Sequence, residues 1–329
     1  MSMRAWQVGR HGTPAEALHL GEVAVPDPGP GQVRVAVRAA AVNFADTLLC
    51  SGEYQVRPEL PFVPGLEVCG VVTAVGEGVS TPAVGDRVLG MTALPHGGFA
   101  DEALMDASTT YPATASLTDA QAAAFVVSHH TGWLALHRRA AIRPGEHLLV
   151  HAATGGVGSA AVQLGRAAGA HVIGVVGGPQ KADLARQVGC DVVVDRRSED
   201  VAAAVLEATG GHGADVVYDP VGGPAFEAST HCVALEGRIL VVGFASGTRQ
   251  RARLDHALVK GYSVLGLNVG RYREELPDVV RACHAALVEI ADAGHLDPLV
   301  GTAHPFAEVP QALAAIAGGT TSGRPVVVP

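Results

Sequence analysis

The sequence predicts an α/β protein with a doubly wound parallel sheet and a second domain of short strands. Three observations support this prediction. A glycine-rich turn joins an apolar strand to a small-residue helix within residues 147–170, strands and helices then alternate as far as residue 244, and residues 1–115 contain short apolar runs separated by Pro and Gly clusters. Strands that alternate with helices form parallel sheets, whereas closely spaced strands with turn signals form barrels or sandwiches.

The glycine turn follows the apolar run 148–150. Three of the four residues at 155–158 are glycines, and a helix over about 157–168 comes directly after the first of them. Glycine permits a tight turn and a close approach of the backbone to a pyrophosphate, whose charge is stabilised by the N–H groups of a helix N-terminus. Ala153 stands where the pattern G-x-G-x-x-G has its first glycine, so the turn by itself is also compatible with a merely tight strand-to-helix connection.

The elements after the turn supply the context that this pattern requires. Strands are predicted at 171–176, 191–195, 214–218 and 238–244, and helices at 179–188, at about 198–209 and after Pro224. A strand, a glycine turn and a helix followed by further strand–helix pairs are typical of a Rossmann domain.

Composition limits the class of protein. The 329 residues suggest two domains, and a hydrophobic content of 48% is enough for large cores. A net charge of −9 without a basic block argues against nucleic acid or an acidic membrane as a partner. No signal peptide or membrane span is recognisable, so we expect a cytoplasmic location. The five cysteines are scattered without a C-x-x-C, which favours neither disulfides nor a zinc ribbon.

The regions on either side of the parallel sheet differ from it. Short strands at 32–42, 68–75 and 87–91 predict a small β-barrel or sandwich, and Thr118 or Asp119 begins a helix. The C-terminal part contains a strand at 262–268, helices at about 276–293 and 310–317, and a closing strand at 325–328. This tail is too small to fold alone, so we expect it to pack on the N-terminal domain. The predicted divisions are 1–120, 121–265 and 266–329.

The segment 42–54 is a second place for chemistry, with Asn43, Asp46 and Tyr54 around a turn at Gly52. By itself it equally predicts a capped helix that ends in a glycine turn. Its motifs join others in chain order: Asn43-x-x-Asp46 with Gly52-x-Tyr54, Pro64-Gly65-x-Glu67-x-x-Gly70, Gly85-Asp86-Arg87-Val88, Gly97-Gly98-Phe99-Ala100, Ala152–Gly158, Tyr218-Asp219-x-Val221-Gly222-Gly223 and Lys260-x-x-Ser263-x-x-Gly266.

Together these motifs resemble the zinc-independent quinone oxidoreductase branch, which includes zeta-crystallin, of the medium-chain dehydrogenase/reductase superfamily. The resemblance runs over nearly the whole chain. It implies a GroES-like catalytic domain with an inserted Rossmann domain, NADPH as the hydride donor and a homodimer. It also implies an oxidoreductase whose small-molecule substrate is a quinone or an α,β-unsaturated carbonyl compound.

Zinc-dependent relatives of that branch are the nearest alternative. They carry a cysteine in the segment of Asn43, Gly-His-Glu where this chain has Gly65-Leu66-Glu67, and a cysteine near Val127. Leucine and valine offer no lone pair to zinc, and a catalytic site needs three protein ligands. We therefore expect no catalytic metal, and we interpret the histidines 129, 130 and 151 as structural or surface residues.

The choice of nicotinamide cofactor depends on the end of the second parallel strand. An NAD-binding domain has an acidic residue there, whereas this chain reads Val176-Gly177-Gly178. Lys181 follows in the first turn of the next helix, and Arg196 follows the third strand. The resemblance gives the Lys181 position, and a tyrosine at the Arg196 position, the role of holding the 2′-phosphate of NADPH. Arginine in place of that tyrosine also favours phosphate, although a solvated charged loop remains the alternative.

The resemblance also assigns the remaining site residues. Thr131 is expected beside the nicotinamide, and the substrate's developing enolate oxygen needs a hydrogen-bond donor, for which Asn43 and Tyr54 are the candidates. Water is an alternative proton source, and Asp46 is expected to orient the loop. The family's usual tyrosine and arginine are replaced by Leu48 and Cys50 near the pocket. The predicted cofactor-binding residues are Asn43, Thr131, Thr154, Gly155, Gly156, Val157, Gly158, Gly177, Lys181, Arg196, Val221, Gly243, Phe244 and Asn268.

Two other functions compete with a quinone or enone reductase. Enoyl-thioester reductases look similar at the same motifs. A protein of another class would bind NADPH without turnover, as the crystallin relatives show this fold can do.

Overall fold

The computed structural model describes residues 1–329, which form two compact units. The first unit comprises Met1–Val127 and Val300–Pro329, and the second comprises Ser128–Leu299. The second unit is therefore continuous in sequence and interrupts the first. Its end at Leu299 lies beyond the predicted boundary at 265, because two helices after the last parallel strand also belong to it.

Fourteen strands are present. They are β1 (Ser2–Val8), β2 (Leu18–Ala24), β3 (Gln32–Ala41), β4 (Glu67–Val75), β5 (Arg87–Thr92), β6 (Glu102–Pro112), β7 (His147–His151), β8 (His171–Val176), β9 (Val192–Asp195), β10 (Ala214–Asp219), β11 (Val233–Val241), β12 (Ser263–Gly266), β13 (Val300–Pro305) and β14 (Arg324–Val328).

Twelve α-helices accompany the strands. They are α1 (Pro14–Ala17), α2 (Phe44–Ser51), α3 (Asp119–Ala123), α4 (Val126–Trp133), α5 (Gly156–Ala167), α6 (Pro179–Val188), α7 (Val201–Ala208), α8 (Pro224–Cys232), α9 (Leu254–Lys260), α10 (Val269–Glu275), α11 (Pro277–Asp292) and α12 (Val309–Ala317). Helix α4 continues as a π-helical segment, Leu134–Arg139, and a 3₁₀ turn, Phe306–Glu308, precedes α12. None of the helices combines the length and the apolar character that crossing a bilayer requires.

The second unit contains a six-stranded sheet in the order β12-β11-β10-β7-β8-β9, with every neighbouring pair parallel. The chain runs outward from β7 to β9 and then crosses to β10 on the other side of β7. The strand order thus reverses between β7 and β10, and ligands of doubly wound sheets bind at the carboxyl ends of the strands at such a point. The predicted doubly wound parallel sheet is confirmed.

The core of the second unit consists of the apolar strand residues and the helices that cover them. Leu149, Val217 and Ile239 are fully buried. Helix α5 lies close to the sheet at Gly165, where a Cβ atom would stand 2.4 Å from Leu148 Cδ2. The last turn of α5 therefore packs directly on the start of β7.

The first unit contains a mainly antiparallel sheet in the order β13-β14-β3-β4-β5-β6, and β3 also pairs with β6. The pairings of β3, β4, β5 and β6 thus form a closed circuit, as a small barrel requires. The tail returns to this unit, because β14 pairs antiparallel with β3 through Val326 and Ala41. A core that includes Val35, Phe62 and Phe99 fills the unit.

Three elements differ from the sequence prediction. The first residues form a hairpin of β1 and β2, for which no strands were predicted. The segment between the predicted strand 262–268 and the predicted helix at about 276–293 contains helix α10, which was not predicted. The strand predicted at 238–244 begins earlier, at Val233, and the left-handed Glu236 (φ 59°) interrupts its regularity.

Candidate active site

The glycine turn lies at the carboxyl end of β7, on the border where the strand order reverses. Ala152 adopts a left-handed conformation (φ 51°), and Gly155 is the N-cap of α5. A Cβ at Gly158 would stand 2.1 Å from the Ala152 carbonyl oxygen, so only glycine fits there. The first N–H groups of a helix have no intrahelical partner, and they can bind an anion. The structure thus places Thr154, which is buried, and the predicted glycines at one helix N-terminus.

A group of cationic side chains lies beside the carboxyl end of β8. A Cβ at Gly177 would stand 3.2 Å from Arg196 Nη2, and a Cβ at Gly178 would stand 3.2 Å from Arg197 Nη1. Burial lowers the pKa of Lys181, and the nearby positive charges of Arg197 and Arg196 lower it further. The structure therefore brings Gly177, Lys181 and Arg196 together, and it adds Arg197.

One carboxylate, that of Asp195, lies beside this cationic group. Asp195 Oδ1 accepts hydrogen bonds from the backbone N of Gly178 (2.8 Å) and of Arg197 (3.0 Å), which hold its pKa below the ordinary value. Three cations and one carboxylate leave a net charge of +2. Because the cations repel one another, a doubly charged anion such as a phosphate monoester fits the site.

The loops after β10 and β11 are joined by the buried carboxylate of Asp219. It accepts hydrogen bonds from the backbone N of Val221 and of Gly222, both at 2.8 Å. Gln250 Nε2 donates to Asp219 Oδ2 (3.2 Å) and to the Gly243 carbonyl oxygen (2.6 Å). The predicted residues Val221 and Gly243 are thereby held at neighbouring strand ends.

The other predicted residues of the second unit are more exposed. The Phe244 ring is 41% exposed, and the Arg249 guanidinium lies 5.6 Å from its centroid. Asn268 caps α10 by accepting a hydrogen bond from the Arg271 backbone N (3.3 Å), and it lines a cavity of about 480 Å³. Thr131 is half-buried in α4.

In the first unit, Asn43 is the N-cap of α2 and is buried. Its Nδ2 lies 3.4 Å from the Ala41 carbonyl oxygen and 3.5 Å from Glu67 Oε2. Both neighbours are acceptors, so the amide nitrogen must face them. The buried Asn43 Oδ1 then has no hydrogen-bond partner within the protein. The polar atom of Asn43 that remains without a partner is therefore an acceptor, and the predicted donor role of Asn43 stays a prediction.

The two carboxylates beside Asn43 are fully buried. Asp46 accepts hydrogen bonds from the backbone N of Asn43 (2.8 Å), Gly65 (3.2 Å) and Leu66 (3.1 Å). Burial raises the pKa of Asp46 to about 7, and these three donors limit the rise. Asp46 fixes the start of α2 against the 65–66 turn, which agrees with the predicted orienting role.

Glu67 anchors the same region, because its Oε1 accepts a hydrogen bond from the Val127 backbone N (2.9 Å) and its Oε2 lies 3.9 Å from Arg324 Nη1. Leu66, at the position of the zinc-ligating histidine in the zinc-dependent relatives, is 5% exposed and apolar. Position 127 likewise offers only a valine side chain. The two positions therefore provide no metal ligand.

Tyr54 lies after the other end of α2, half-buried against the core of the first unit, and its backbone N donates to the Leu48 carbonyl oxygen (3.1 Å). The eight residues of α2 span about 12 Å. Asn43 and Tyr54 thus flank opposite ends of one helix.

Several site residues carried no local signal. Gln250 lies 31 residues from Asp219, and Glu67 lies 24 residues from Asn43, so only the folded chain reveals these contacts. Arg197 was visible as part of an Arg-Arg pair, and the absence of acidic residues at 176–178 was the available hint that it would join Lys181.

Comparisons with known proteins identify the families of both domains. The family model described as alcohol dehydrogenase GroES-like domain matches residues 29–115, and the one described as zinc-binding dehydrogenase matches residues 156–285. The chain is 36% identical over 301 residues to a quinone oxidoreductase-like protein 2 homolog of Nematostella vectensis, covering 91% of this chain and 82% of that protein.

This chain is also similar to a protein of solved structure and to a segment of a larger protein. Escherichia coli quinone oxidoreductase complexed with NADPH superposes with a TM-score of 0.90 at 31% identity, over 99% of this chain and 100% of that chain. A Mycobacterium bovis phthioceranic/hydroxyphthioceranic acid synthase is 37% identical over 305 residues, which are 91% of this chain but only 14% of that protein.

The chain therefore belongs to the medium-chain dehydrogenase/reductase superfamily. Within the superfamily, its quinone oxidoreductase-like relatives and the apolar residues Leu66 and Val127 fit the zinc-independent quinone oxidoreductase branch. The predicted resemblance and the predicted pairing of a GroES-like domain with a Rossmann domain are confirmed.

Proposed function

We propose that this protein is an NADPH-dependent, zinc-independent reductase that delivers a hydride to a quinone or an α,β-unsaturated carbonyl compound. The observation that carries the proposal is the cationic group of Lys181, Arg196 and Arg197 beside the glycine turn of a doubly wound sheet. A dinucleotide with a 2′-phosphate matches this pair of anion sites. The Escherichia coli relative solved with NADPH supports the same cofactor.

The residues of the second unit divide into groups by their part in binding. Thr154, Gly155, Gly156, Val157 and Gly158 would hold the pyrophosphate at the N-terminus of α5. Gly177, Lys181 and Arg196, with Arg197, would hold the 2′-phosphate, and Thr131, Val221, Gly243, Phe244 and Asn268 would line the rest of the cofactor. When bound, NADPH supplies the hydride.

The first unit would supply the groups that meet the substrate. The Tyr54 hydroxyl is our candidate donor to the oxygen that becomes negative during reduction, where a donor in a site without water has its largest effect. Asn43 Oδ1, which has no partner within the protein, would accept a hydrogen bond from a bound O–H or N–H group. Satisfying such a buried acceptor is worth about 1–3 kcal/mol.

An enoyl thioester is a second candidate substrate. The similarity to a segment of the Mycobacterium bovis acid synthase supports it, since that segment covers 91% of this chain. Both candidates share the chemistry of hydride addition to a carbon conjugated with a carbonyl group, so the same residues would serve either substrate.

The second unit also supports a homodimer. Strand β12 is at the edge of the parallel sheet, and the neighbouring helix α9 exposes three large apolar side chains, Leu254 (81%), Leu258 (83%) and Val259 (84%). An unpaired edge strand beside an exposed apolar patch is suited to pairing with a second copy.

The experiment follows NADPH absorbance with purified protein and separate quinones, enones and enoyl thioesters. Loss of the nicotinamide absorbance with a quinone or enone supports the proposal, and loss only with enoyl thioesters supports the second candidate. Binding of NADPH without any oxidation across the panel would contradict a reductase and leave a nucleotide-binding protein.

The role of Tyr54 is tested by the Tyr54→Phe variant, with Tyr111→Phe, a tyrosine of β6, as the matched control. We expect Tyr54→Phe to lower kcat about 10²-fold or more while the Kd for NADPH is unchanged, because general acid catalysis typically contributes that much. Full turnover by Tyr54→Phe across the pH range would leave water as the proton source.

A further inference from the structure

A second polar cluster lies at the amino-terminal ends of the parallel strands, whereas the nucleotide site lies at their carboxyl ends. His147 is the first residue of β7, Asp215 is the second residue of the adjacent strand β10, and His212 lies in the loop before β10. The five residues of β7 span roughly 17 Å, which separates the start of this strand from the glycine turn at its end. The cluster is therefore separate from the candidate active site.

The three side chains converge on the Asp215 carboxylate. His212 Nε2 lies 2.8 Å from Asp215 Oδ1, and His147 Nδ1 lies 3.6 Å from Asp215 Oδ2. The ligand atoms of all three residues lie within 4.8 Å of one another. Two imidazoles and one carboxylate form a donor set that zinc and similar divalent cations bind.

The spacing matches the size of such a cation. Zinc binds imidazole nitrogen and carboxylate oxygen at about 2.0–2.2 Å, which places two ligands of a tetrahedral site about 3.4 Å apart. The His147–Asp215 separation of 3.6 Å is close to this value. The His212–Asp215 pair, now a hydrogen bond, needs to open by well under an ångström. We propose that His147, His212 and Asp215 bind one divalent transition-metal cation of the zinc class.

The protein holds two of these ligands in position without a metal. The His147 backbone N donates to Asp215 Oδ2 (2.8 Å). Arg238 Nη1 donates both to the Asp215 carbonyl oxygen (3.2 Å) and to Glu146 Oε1 (2.9 Å), so one guanidinium links the starts of β7 and β10. Such preorganisation reduces the entropy that is lost when a ligand binds.

The third proposed ligand, His212, lies in a loop whose conformation depends on three glycines. Gly210, Gly211 and Gly213 all have positive φ (59°, 88° and 93°), a conformation that glycine adopts without strain. The Gly213 backbone N donates to Thr209 Oγ1 (2.9 Å), which closes the loop around His212. The loop therefore directs His212 back to Asp215.

The cluster is accessible to a cation from solvent. The His212 side chain is 54% exposed. A shallow groove of about 170 Å³, lined partly by His147, His171 and Asp191, adjoins the cluster and leaves room for water as a further metal ligand.

A metal at this position would connect two neighbouring strands and the loop between 209 and 213. Its expected effect is therefore to stabilise the second unit, because a ligand that binds only the folded state raises its stability. It would take no part in hydride transfer, and it does not occupy the position that holds zinc in the zinc-dependent relatives.

The test is calorimetric titration of ZnCl₂ into protein without a polyhistidine tag, after removal of metals by a chelator. We expect one zinc ion per chain at this site and a higher melting temperature with zinc. His147→Ala and His212→Ala should weaken binding about tenfold or more and abolish the zinc-induced rise in melting temperature. His295→Ala, which removes an exposed histidine elsewhere in the second unit, should leave both unchanged.

The controls separate loss of metal from loss of fold. Because the His212 side chain is more than half exposed, His212→Ala should keep the wild-type circular dichroism and the wild-type melting temperature without zinc. Absence of zinc binding by the wild type would overturn the proposal. So would equal binding by the wild type and His212→Ala, or an equal loss in His295→Ala.

Discussion

The double variant Lys181→Ala/Arg196→Ala tests how the second unit selects its nucleotide. Arg196 lies against Gly177 at the end of β8, and the charges of Arg196 and Arg197 act on the nearby Lys181. Removing two of the three cations takes the net charge of the group, with Asp195, from +2 to 0. The 2′-phosphate of NADPH would then lose its charge-assisted hydrogen bonds, whereas NADH has no group at this position.

The size of the effect follows from these contacts. A hydrogen bond to a charged group contributes about 1.5–3 kcal/mol, and the exposure of Arg196 favours the lower end of this range. Two such bonds amount to about 3 kcal/mol, which corresponds to roughly a hundredfold weaker Kd for NADPH. Each single variant should lose about tenfold. The Kd for NADH should change by less than about threefold, because the glycine turn is untouched.

The assay measures the Kd of both nucleotides by calorimetry at one fixed ionic strength, since screening alters the charge term. Arg186→Ala is the matched control, because Arg186 lies on the same helix α6 but pairs with Asp183 (2.8 Å) away from the cationic group. We expect this variant to bind both nucleotides like the wild type. An equal loss of NADPH and NADH affinity in the double variant would refute the assignment of the 2′-phosphate site.

Three further perturbations have expected outcomes. Gly158→Ala should lower the free energy of unfolding by about 1–3 kcal/mol and weaken NADPH binding, because its Cβ would stand 2.1 Å from the Ala152 carbonyl oxygen; chemical denaturation and calorimetry measure the two effects. Leu258→Glu should convert a dimer to a monomer in light scattering, because it places a charge in the exposed apolar patch on α9. Burial lowers the pKa of His151 to about 4, whereas a histidine in an unfolded chain has a pKa near ~6.5. Between these two pH values the unfolded state binds more protons than the folded state. The free energy of unfolding should therefore fall by up to about 3 kcal/mol as the pH drops from about 6.5 to 4. His151→Gln should remove that part of the pH dependence in denaturation curves.

Each of these expectations has a matched control and a contradicting result. Gly21→Ala adds a methyl group in β2 with no atom nearer than 4.0 Å, and it should be neutral; equal effects of both glycine variants would contradict the packing argument. A dimer that survives Leu258→Glu would place the interface elsewhere. His295→Gln should keep the wild-type pH dependence, and a His151→Gln variant with an unchanged acid slope would show that another group causes the acid sensitivity.

The parallel sheet and the glycine turn could be predicted because their signals are local. Apolar runs, glycines and helix caps lie within a few residues of one another, and the predicted β8 and α6 (171–176 and 179–188) coincide with the observed bounds. Helix α10 was missed because its sequence, VGRYREE, has no apolar stripe and follows a strand directly. The hairpin of β1 and β2 was missed because neither strand contains a continuous apolar run and β2 buries only Leu18.

The site was predictable in part for the same reason. Lys181 and Arg196 follow recognisable strands, so their positions could be inferred, whereas the unpartnered Asn43 Oδ1 depends on Glu67, which arrives from another strand. The cluster of His147, His212 and Asp215 joins residues that are 68 positions apart in sequence, and no local pattern indicates it. Contacts of this kind are set by strand order, which the sequence pattern does not specify.

Calorimetric titration of NADPH into the folded, chelator-treated wild-type protein tests the central claim most directly. The N-terminus of α5 and the cations beside β8 should bind one nucleotide per chain, and NADPH should bind about a hundredfold or more tightly than NADH. Heat changes no greater than those of dilution for both nucleotides, from protein that circular dichroism shows to be folded, would contradict the account.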